Sequence, residues 1–321
     1  MPERCLIIGL GQIGMGYDIG LDLQKYVYSH SRAFSIHPAF DLIGAVDPSV
    51  LQRGIFENIY NLPAYPDIES SLKGDIASLV IIASPTVIHR ETINEVLQHL
   101  QPKTILCEKP LAYDLIEARE MVEVCQTAGV NLFVNYMRRA DPGVIEVKNR
   151  IESGYIVEPI KGFAWYSKGF LNNGSHFFNL LEFWLGPFRK ATLLDAGRLW
   201  ENKDPEPDVQ IEFKHGKVVF LAAWEECFSH YTLELLTQSG RLRYEQEGKL
   251  ISWQKTYSDP NFSGYTILQS ELEIIVNGMD RYQYNVADQL ANVNAEKPHY
   301  LCTGHQALET LEAIHEVIKQ R

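Results

Sequence analysis

The sequence is poor in cysteine and in clustered positive charge. Its five cysteines among 321 residues are odd in number, scattered and without metal-ligand spacing, so neither a disulfide framework nor a metal site is predicted. Reduced thiols of a cytoplasmic protein are expected. Lys and Arg number 29 against 41 Asp and Glu, a net charge of −12. Because nucleic acids and anionic membranes bind clustered positive charge, neither is an expected partner.

Long apolar runs and several catalytic motifs are also missing. No apolar stretch approaches the ~20 residues needed to cross a bilayer, and the N-terminus lacks the pattern of a signal peptide. There is no Gly-x-Ser-x-Gly, no Gly-x-x-x-x-Gly-Lys-[Ser/Thr] and no His-Glu-x-x-His. The motifs of α/β hydrolases, P-loop nucleotide triphosphatases and zinc proteases are therefore not present.

The first half of the chain has the pattern of a parallel α/β sheet. Helical spacing of apolar residues appears over 90–101 and 115–129. Five apolar runs have the length and continuity of buried strands: 5–10, 40–47, 77–84, 103–107 and 130–136. Continuous apolar strands separated by helices imply a parallel sheet covered on both faces. We predict a doubly wound Rossmann domain over residues 1–136.

After about residue 140 the apolar and polar residues alternate, with glycine-containing turns between the runs. Such alternation predicts antiparallel hairpins with one buried face. Helical patterns cover 175–186 and 305–320. We predict an α+β domain over 137–321 with a large, open and mainly antiparallel sheet. A second copy of the chain would cover the open face, so a homodimer or homotetramer is expected.

A glycine motif follows the first predicted strand. Gly9, Gly11 and Gly14, with Gln12 and Ile13 between them, form Gly-x-Gly-x-x-Gly at the position of the first βα turn. Their amides would hold a dinucleotide pyrophosphate at a helix N-terminus. A plain glycine-rich turn is the alternative.

The acidic partner of such a loop is predicted at Asp47, 38 residues after Gly9. This separation exceeds the usual ~20 residues, and an excursion over about 17–28 accounts for the excess. A carboxylate that binds the ribose hydroxyls favours NAD over NADP. The other interpretation of Asp47 is a turn aspartate before proline.

Two further stretches follow predicted strands at the edge where open α/β sheets bind ligands. Within "ASPTVIH" we predict cofactor contacts at Ser84, Pro85 and His89. Within "CEKP" we predict them at Glu108 and Lys109. The Lys109 ammonium would lie near the nicotinamide and the reacting oxygen of a substrate, although an exposed loop lysine is the alternative.

The second half contains one histidine in a favourable position. His176 follows Asn-Gly-Ser at a predicted helix start, and an imidazole titrates near neutral pH, so it suits proton transfer. A capping or packing histidine is the alternative. Period-two geometry places Tyr166 and Lys168 on one strand face, as substrate contacts or as its solvated side. Weaker substrate candidates of the first half are Asn135 and Arg138.

Taken in order, "AVDPS", "ASPTVIH", "CEKPLA" and "NNGSHFFNLLEFWLG" resemble the glucose–fructose oxidoreductase, inositol dehydrogenase and rhizopine-catabolism (Gfo/Idh/MocA) family. The resemblance implies tightly held NAD(P), oxidation or reduction at a hydroxyl of a small carbohydrate-like substrate, and oligomers formed through the second sheet. It also implies that Lys109 is the active-site lysine and His176 the catalytic histidine.

One residue departs from the family pattern. Many members carry an aspartate four residues before the histidine, where this chain has Asn172. An asparagine can hydrogen-bond a substrate or imidazole but cannot hold an imidazolium by charge, so a Lys-Asp-His relay is not assumed. Two functions are carried forward, a dehydrogenase or ketoreductase acting on a sugar, nucleotide sugar or cyclitol, and a non-catalytic NAD(P)-binding sensor or regulator.

Overall fold

A computed structural model describes residues 2–71 and 77–321. The chain forms two compact units, one comprising Met1–Ala140 with Asp280–Glu309 and the other Asp141–Met279 with Thr310–Arg321. The predicted division at 136/137 lies close to the first boundary, but 280–309 belongs to the first unit. An amphipathic helix pattern does not indicate which core the helix packs on, so this return could not be predicted. Among the described residues, no helix has the length and apolar character of a membrane span.

The first unit contains a seven-stranded sheet with the order β16-β6-β5-β4-β1-β2-β3. All of its pairings are parallel except that of β16 with β6. Its strands are β1 (Glu3–Ile8), β2 (Phe40–Val46), β3 (Ala64–Tyr65), β4 (Leu79–Ile82), β5 (Thr104–Cys107), β6 (Asn131–Val134) and β16 (Cys302–Thr303). The strand β4 is buried at every position, as expected for a sheet covered on both faces.

Helices connect these strands. Those of the first unit are α1 (His30–Ile36), α2 (Val50–Tyr60), α3 (His89–His99), α4 (Leu115–Thr127) and α7 (Tyr282–Asn294). Serine and aspartate side chains cap three of them. Ser29 accepts from the Arg32 amide, Ser49 accepts from the Gln52 amide, and Asp114 accepts from the amides of Ile116 and Glu117. Such caps satisfy amides that have no partner within the helix. The Rossmann prediction is confirmed.

The second unit contains a nine-stranded, mainly antiparallel sheet with the order β14-β13-β12-β11-β7-β10-β9-β8, and β15 pairs with β13. Its strands are β7 (Ile160–Tyr166), β8 (Phe188–Trp200), β9 (Asp204–Phe213), β10 (Gly216–Ala222), β11 (Thr232–Leu236), β12 (Gly240–Glu245), β13 (Leu250–Ser258), β14 (Thr266–Leu268) and β15 (Glu273–Ile275). The pair β7 and β10 is parallel. The prediction of a mainly antiparallel second sheet is confirmed.

Two helices lie within the second unit, α5 (Pro142–Glu152) and α6 (Ser175–Leu185). The last helix, α8 (Gly304–Ile318), begins in residues of the first unit and ends in residues of the second. The helix α6 is almost entirely buried, and its Trp184 indole donates to the Val144 carbonyl of α5 at 3.0 Å. The core of this unit therefore lies between α6 and one face of the sheet, and it positions the start of α6 firmly.

Candidate functional site

The glycines after β1 have different surroundings. A Cβ on Gly9 would lie 2.7 Å from the backbone of Ala83, and one on Gly14 would lie 2.0 Å from the Gly9 carbonyl oxygen. A Cβ on Gly11 would have no described atom within 4 Å. Gly9 and Gly14 are thus required for backbone packing, whereas Gly11 leaves open space at its surface. This is the division of roles that close approach of a pyrophosphate requires.

We expect Gly11→Ala and Gly14→Ala to separate ligand binding from folding. Gly14→Ala places a methyl group against backbone, so the protein should lose several kcal/mol of stability or fail to fold. Gly11→Ala should unfold like the parent but bind NADH at least about tenfold more weakly, because the methyl group occupies the space of the pyrophosphate. Thermal unfolding and NADH fluorescence titration measure the two effects. Parental NADH affinity in Gly11→Ala would place the dinucleotide elsewhere.

Asp47 lies at the end of β2 and joins two loops. One of its carboxylate oxygens accepts from the Leu10 amide at 2.7 Å, and the other accepts from the Ser49 amide at 2.8 Å. The carboxylate therefore stands beside the glycine loop, half-buried. Arg53, which the sequence analysis did not single out, donates to the carbonyls of Asp47 and Pro48 at 2.8 and 2.9 Å. A positive charge thus lies near the predicted ribose site.

The excursion over 17–28 interrupts the first turn of a helix. The amides of Met15 and Gly16 donate to the Gly11 carbonyl, as in a helical turn, and then the chain leaves. It returns at α1, where the His30 amide donates to the Ile13 carbonyl and the Ser31 amide to that of Gly14. The hydrogen bonds of the helix therefore continue across the excursion, which lies where the sequence predicts it.

The base of the excursion is anchored by one buried carboxylate. Asp18, 4% exposed, accepts from the amides of Tyr28 and Ser29 and from the Ser29 hydroxyl. Tyr28 also stacks on Tyr282 of α7, with ring centroids 5.0 Å apart. Ile19, Leu21 and Leu23 between these anchors have exposed side chains, as does Tyr17 directly before Asp18.

The loop after β4 holds Ser84, half-buried, and Pro85, exposed. His89, predicted as a cofactor contact, is fully buried at the start of α3. Its Nε2 lies 2.9 Å from the Ser84 carbonyl oxygen and its Nδ1 lies 3.0 Å from that of Leu111. The prediction for His89 is wrong as a direct contact, because both ring nitrogens join the loops after β4 and β5 to each other.

Glu108 is the centre of a buried polar cluster at the end of β5. Its Oε1 accepts from Nδ2 of Asn135 at 2.6 Å and lies 2.8 Å from Nε2 of His30. Asn135 also donates to Oε1 of Gln283 in α7 at 3.2 Å. Burial acts to raise the pKa of the Glu108 carboxyl, but the bonds from His30 and Asn135 and the charge of Lys109 outweigh it. The net effect lowers the pKa of Glu108, which favours the ionised form.

We expect Glu108→Gln to reduce stability in a pH-dependent way. A lowered folded-state pKa contributes stability above the unfolded pKa of ~4.3, and that contribution is lost as the pH falls through the folded pKa. The variant should therefore lose about 1–2 kcal/mol of unfolding free energy at neutral pH, and the difference should shrink below about pH 4. Denaturant unfolding at several pH values measures this, with Glu91→Gln, an exposed position of α3, as the control. A pH-independent difference would contradict the assignment.

Lys109 follows Glu108 directly, is half-buried, and precedes Pro110 through a cis peptide bond. Its backbone amide lies 3.3 Å from Oε2 of Glu108. Arg138, 6% exposed, lies in a 3-10 turn, Met137–Ala140, that follows β6. The first unit thus brings the predicted residues Gly11, Asp47, Ser84, Glu108, Lys109 and Asn135 to the loops at the carboxyl ends of β1, β2, β4, β5 and β6.

His176 is the second residue of α6 and is 9% exposed. A π-helical turn, Gly169–Gly174, leads into this helix. The amides of Leu171 and Asn172 in that turn donate to the Asp204 carboxylate of β9 at 3.0 and 2.9 Å. Burial raises the pKa of Asp204 despite these bonds. The Asp204 side chain thus brings a carboxylate to the backbone of residue 172, whose own side chain is an asparagine.

The structure corrects the predicted pair Tyr166 and Lys168. Tyr166 is fully buried, and its hydroxyl donates to the Pro207 carbonyl at 2.7 Å. The strand ends there, and Lys168 has a left-handed backbone with φ of 63°. Tyr166 is therefore a core residue and the prediction of a substrate contact is wrong. The Lys168 ammonium lies 2.8 Å from a Glu225 oxygen, and its substrate role stays a prediction.

Sequence reasoning did not identify His30 or Gln283. His30 is fully buried and lies 78 residues from Glu108, and Gln283 lies 148 residues from Asn135. The signal for His30 was its place directly after the excursion, at the start of α1. Gln283 gave no signal, because a single glutamine in a helical pattern indicates no partner.

Known proteins with similar sequences match part of the chain. Residues 3–136 match the model of an oxidoreductase family with an NAD-binding Rossmann fold, Gfo/Idh/MocA. A curated relative, scyllo-inositol 2-dehydrogenase (NAD(+)) of Bacillus subtilis (strain 168), is 31% identical over 170 residues, covering 52% of this chain and 44% of the relative. The chain thus matches less than half the length of that relative.

Two solved structures resemble the whole chain in fold. An NAD-binding oxidoreductase from Klebsiella pneumoniae has a TM-score of 0.80 at 15% identity, with 100% of this chain and 98% of that chain covered. A super-repressor mutant of Gal80p from Saccharomyces cerevisiae has a TM-score of 0.77 at 15% identity, with 99% and 95% covered. Likeness at this identity concerns the fold alone.

Proposed function

We propose, since residues 3–136 belong to the Gfo/Idh/MocA oxidoreductase family, that the protein is an NAD-dependent dehydrogenase or ketoreductase. Its substrate would be a secondary alcohol or ketone of a sugar, nucleotide sugar or cyclitol. The observation that carries the proposal is the convergence of an open glycine loop, a strand-ending carboxylate and Lys109 on one edge of the parallel sheet. A cyclitol is included among the proposed substrates because one relative is an inositol dehydrogenase by name.

The residues of the first unit fit a dinucleotide. Open space at Gly11 suits the pyrophosphate, and the half-buried Asp47 suits the adenosine ribose. When bound, the nicotinamide ring would accept or donate the hydride. Gly9, Gln12, Ile13, Gly14, Ser84, Pro85 and Glu108 complete the proposed cofactor contacts.

Two side chains of this chain would serve the substrate. The Lys109 ammonium binds the reacting oxygen and polarises it, because a positive charge stabilises negative charge that develops on that atom. The His176 imidazole takes the hydroxyl proton during oxidation and returns it during reduction. Asn172, Asn135, Arg138 and Lys168 are the proposed contacts to the remaining hydroxyl groups.

For the cofactor we propose NAD rather than NADP. Asp47 would repel a 2′-phosphate and accept hydrogen bonds from ribose hydroxyls. Arg53 lies close by, but it is engaged with the carbonyls of Asp47 and Pro48. Titration of the protein with NADH and with NADPH tests this choice, and tighter binding of NADPH would overturn it.

The experiment for the function uses NADH deuterated at C4 and a panel of carbonyl compounds that can accept the hydride, namely keto-cyclitols, ketoses, ketosugars and keto nucleotide sugars. We expect transfer of deuterium to at least one member of the panel by the parent protein. Lys109→Met, checked to be folded and to bind NADH, should not transfer deuterium to that compound. Complete inertness of the parent, with NADH bound, would overturn the proposal.

That outcome would favour the second candidate, a non-catalytic NAD(P)-binding regulator. The observations for it are Asn172 in place of the family's aspartate and the shared fold with Gal80p, a repressor by its description. The Asp204 side chain accepts from the Asn172 amide and so places a carboxylate at this position. The replacement of aspartate by Asn172 is therefore weaker support for a regulator. A regulator would bind NADH and change its affinity for a protein partner.

We also propose a homodimer or homotetramer in the cytoplasm, formed through the sheet of the second unit. Apolar side chains on this sheet are exposed in the single chain: Phe163, Leu194, Leu199 and Leu236. Exposed apolar area of this kind is typical of an interface. Light scattering after gel filtration measures the mass, and a strictly monomeric protein would contradict this part of the proposal.

A further inference from the structure

The Glu108 carboxylate is held from one side only. Its Oε1 lies within hydrogen-bond distance of both His30 and Asn135, at 2.8 and 2.6 Å. Among the described residues, Oε2 has only the long 3.3 Å contact with the Lys109 amide. The side chain keeps 12% exposure, whereas His30 has none. The buried partners thus fix the carboxylate and leave Oε2 able to accept a strong hydrogen bond.

The strand order indicates which part of a dinucleotide this oxygen would meet. Asp47, the proposed adenosine-ribose residue, ends β2 on one side of β1, and Glu108 follows β5 on the other side. A dinucleotide bound across the point where the strand order reverses has its two halves on opposite sides of it. The nicotinamide half would therefore lie on the side of β4 and β5, where Glu108 and Lys109 stand.

We propose, resting on the proposed function, that His30 is a positioning residue that holds Glu108 so that its Oε2 accepts a hydrogen bond from the carboxamide NH₂ of the nicotinamide. The carboxamide is the donor of that ring, and the carboxylate is the matching acceptor. A bond from a neutral donor to an ionised acceptor is stronger than one between neutral groups. The interaction would set which face and edge of the ring meets Lys109.

The first experiment compares NADH with ADP-ribose, which lacks the nicotinamide. His30→Ala should raise the dissociation constant for NADH about tenfold, because Glu108 remains but is no longer held in place as the acceptor, and leave that for ADP-ribose within about twofold. His30→Gln, whose amide can still donate to Glu108, should recover most of the NADH affinity. Equal weakening of both ligands, or no weakening of NADH, would overturn the proposal.

A matched control is present on the same helix. His37, at the end of α1, is also buried and lies 3.0 Å from a carboxylate, that of Asp288. His37→Ala removes a buried histidine from a histidine–carboxylate pair away from the carboxyl edge of the sheet, although the Asp288 side chain is 54% exposed. The substitution should lower thermal stability and change the dissociation constants for NADH and ADP-ribose by the same factor. If His37→Ala also weakened NADH but not ADP-ribose, loosening of α1 alone would be responsible. That result would contradict the role given to His30.

The second experiment changes the ligand and does not depend on folding of the His30 variants. Nicotinic acid adenine dinucleotide has a carboxylate in place of the carboxamide, so Glu108 should repel it. We expect the parent to bind NAD⁺ at least about tenfold better than this analogue, and Glu108→Gln to reduce the preference below about threefold. An unchanged preference in Glu108→Gln would overturn the proposal. All of these experiments measure dissociation constants and none depends on turnover. Inertness in the deuterium assay would therefore overturn the proposed function without affecting the test of His30 and Glu108.

Discussion

Lys109→Met should lower kcat/KM for the substrate found in the deuterium assay by about a hundredfold to a thousandfold. The ammonium is the charge proposed to polarise the reacting oxygen, and loss of one such donor costs enzymes two to three orders of magnitude. Methionine has a similar length and no charge, so the substitution removes the ammonium while filling much the same volume. Steady-state kinetics and NADH titration together measure the effect.

The control for this variant lies on the same strand. Lys103 stands exposed at the amino end of β5, opposite to the end that carries Lys109. Lys103→Met makes the same chemical change there and should keep the parental kcat/KM. If Lys109→Met binds NADH normally and retains even a tenth of the parental kcat/KM, the ammonium is not the group that polarises the substrate.

His176→Ala should lower kcat by a factor of about 10² to 10⁴, the usual contribution of a positioned general acid or base. The variant should also lose the limb of the kcat/KM-against-pH profile that belongs to the imidazole. NADH binding should be unchanged, since the proposed cofactor contacts all lie in the first unit. The measurement is a pH-rate profile of parent and variant.

A second histidine separates proton transfer from a general effect on the second unit. His215 lies between β9 and β10 and pairs with Glu158 at 2.8 Å. His215→Ala should leave both kcat and the pH profile as in the parent. A His176→Ala protein whose rate falls while its pH profile keeps the parental shape would show that His176 packs the start of α6 and moves no proton.

Much of the first unit could be predicted because its signals are local. Strands such as β4 are apolar along their whole length, and the glycine motif directly follows β1. The order of strand, turn and helix then places Gly11, Asp47 and Lys109 on one edge without any knowledge of side-chain contacts. The excursion over 17–28 was also predictable, because the separation of Gly9 and Asp47 exceeds the usual ~20 residues between a glycine motif and its acidic partner.

The errors came from residues whose environment is set by distant segments. Tyr166 has the alternation of a solvated strand face, but the buried Glu206 of β9 and the aromatic ring of Phe170 enclose the end of its strand. His89 has the sequence position of a cofactor contact, but its ring joins two backbone carbonyls. Periodicity reports which face a side chain is on, and it does not report what covers that face.

The sequence by itself determined the two kinds of sheet and the edge of the first sheet at which the glycine loop, Asp47 and Lys109 meet, because each depends on residues close together in the chain. Only the tertiary structure decided that 280–309 returns to the first unit and that His30, Asn135 and Gln283 surround Glu108. It also placed Asp204 at the backbone of Asn172. These arrangements include hydrogen bonds between residues 32, 148 and 252 positions apart, and hydrogen bonds over such separations form only when the packed cores bring the segments together.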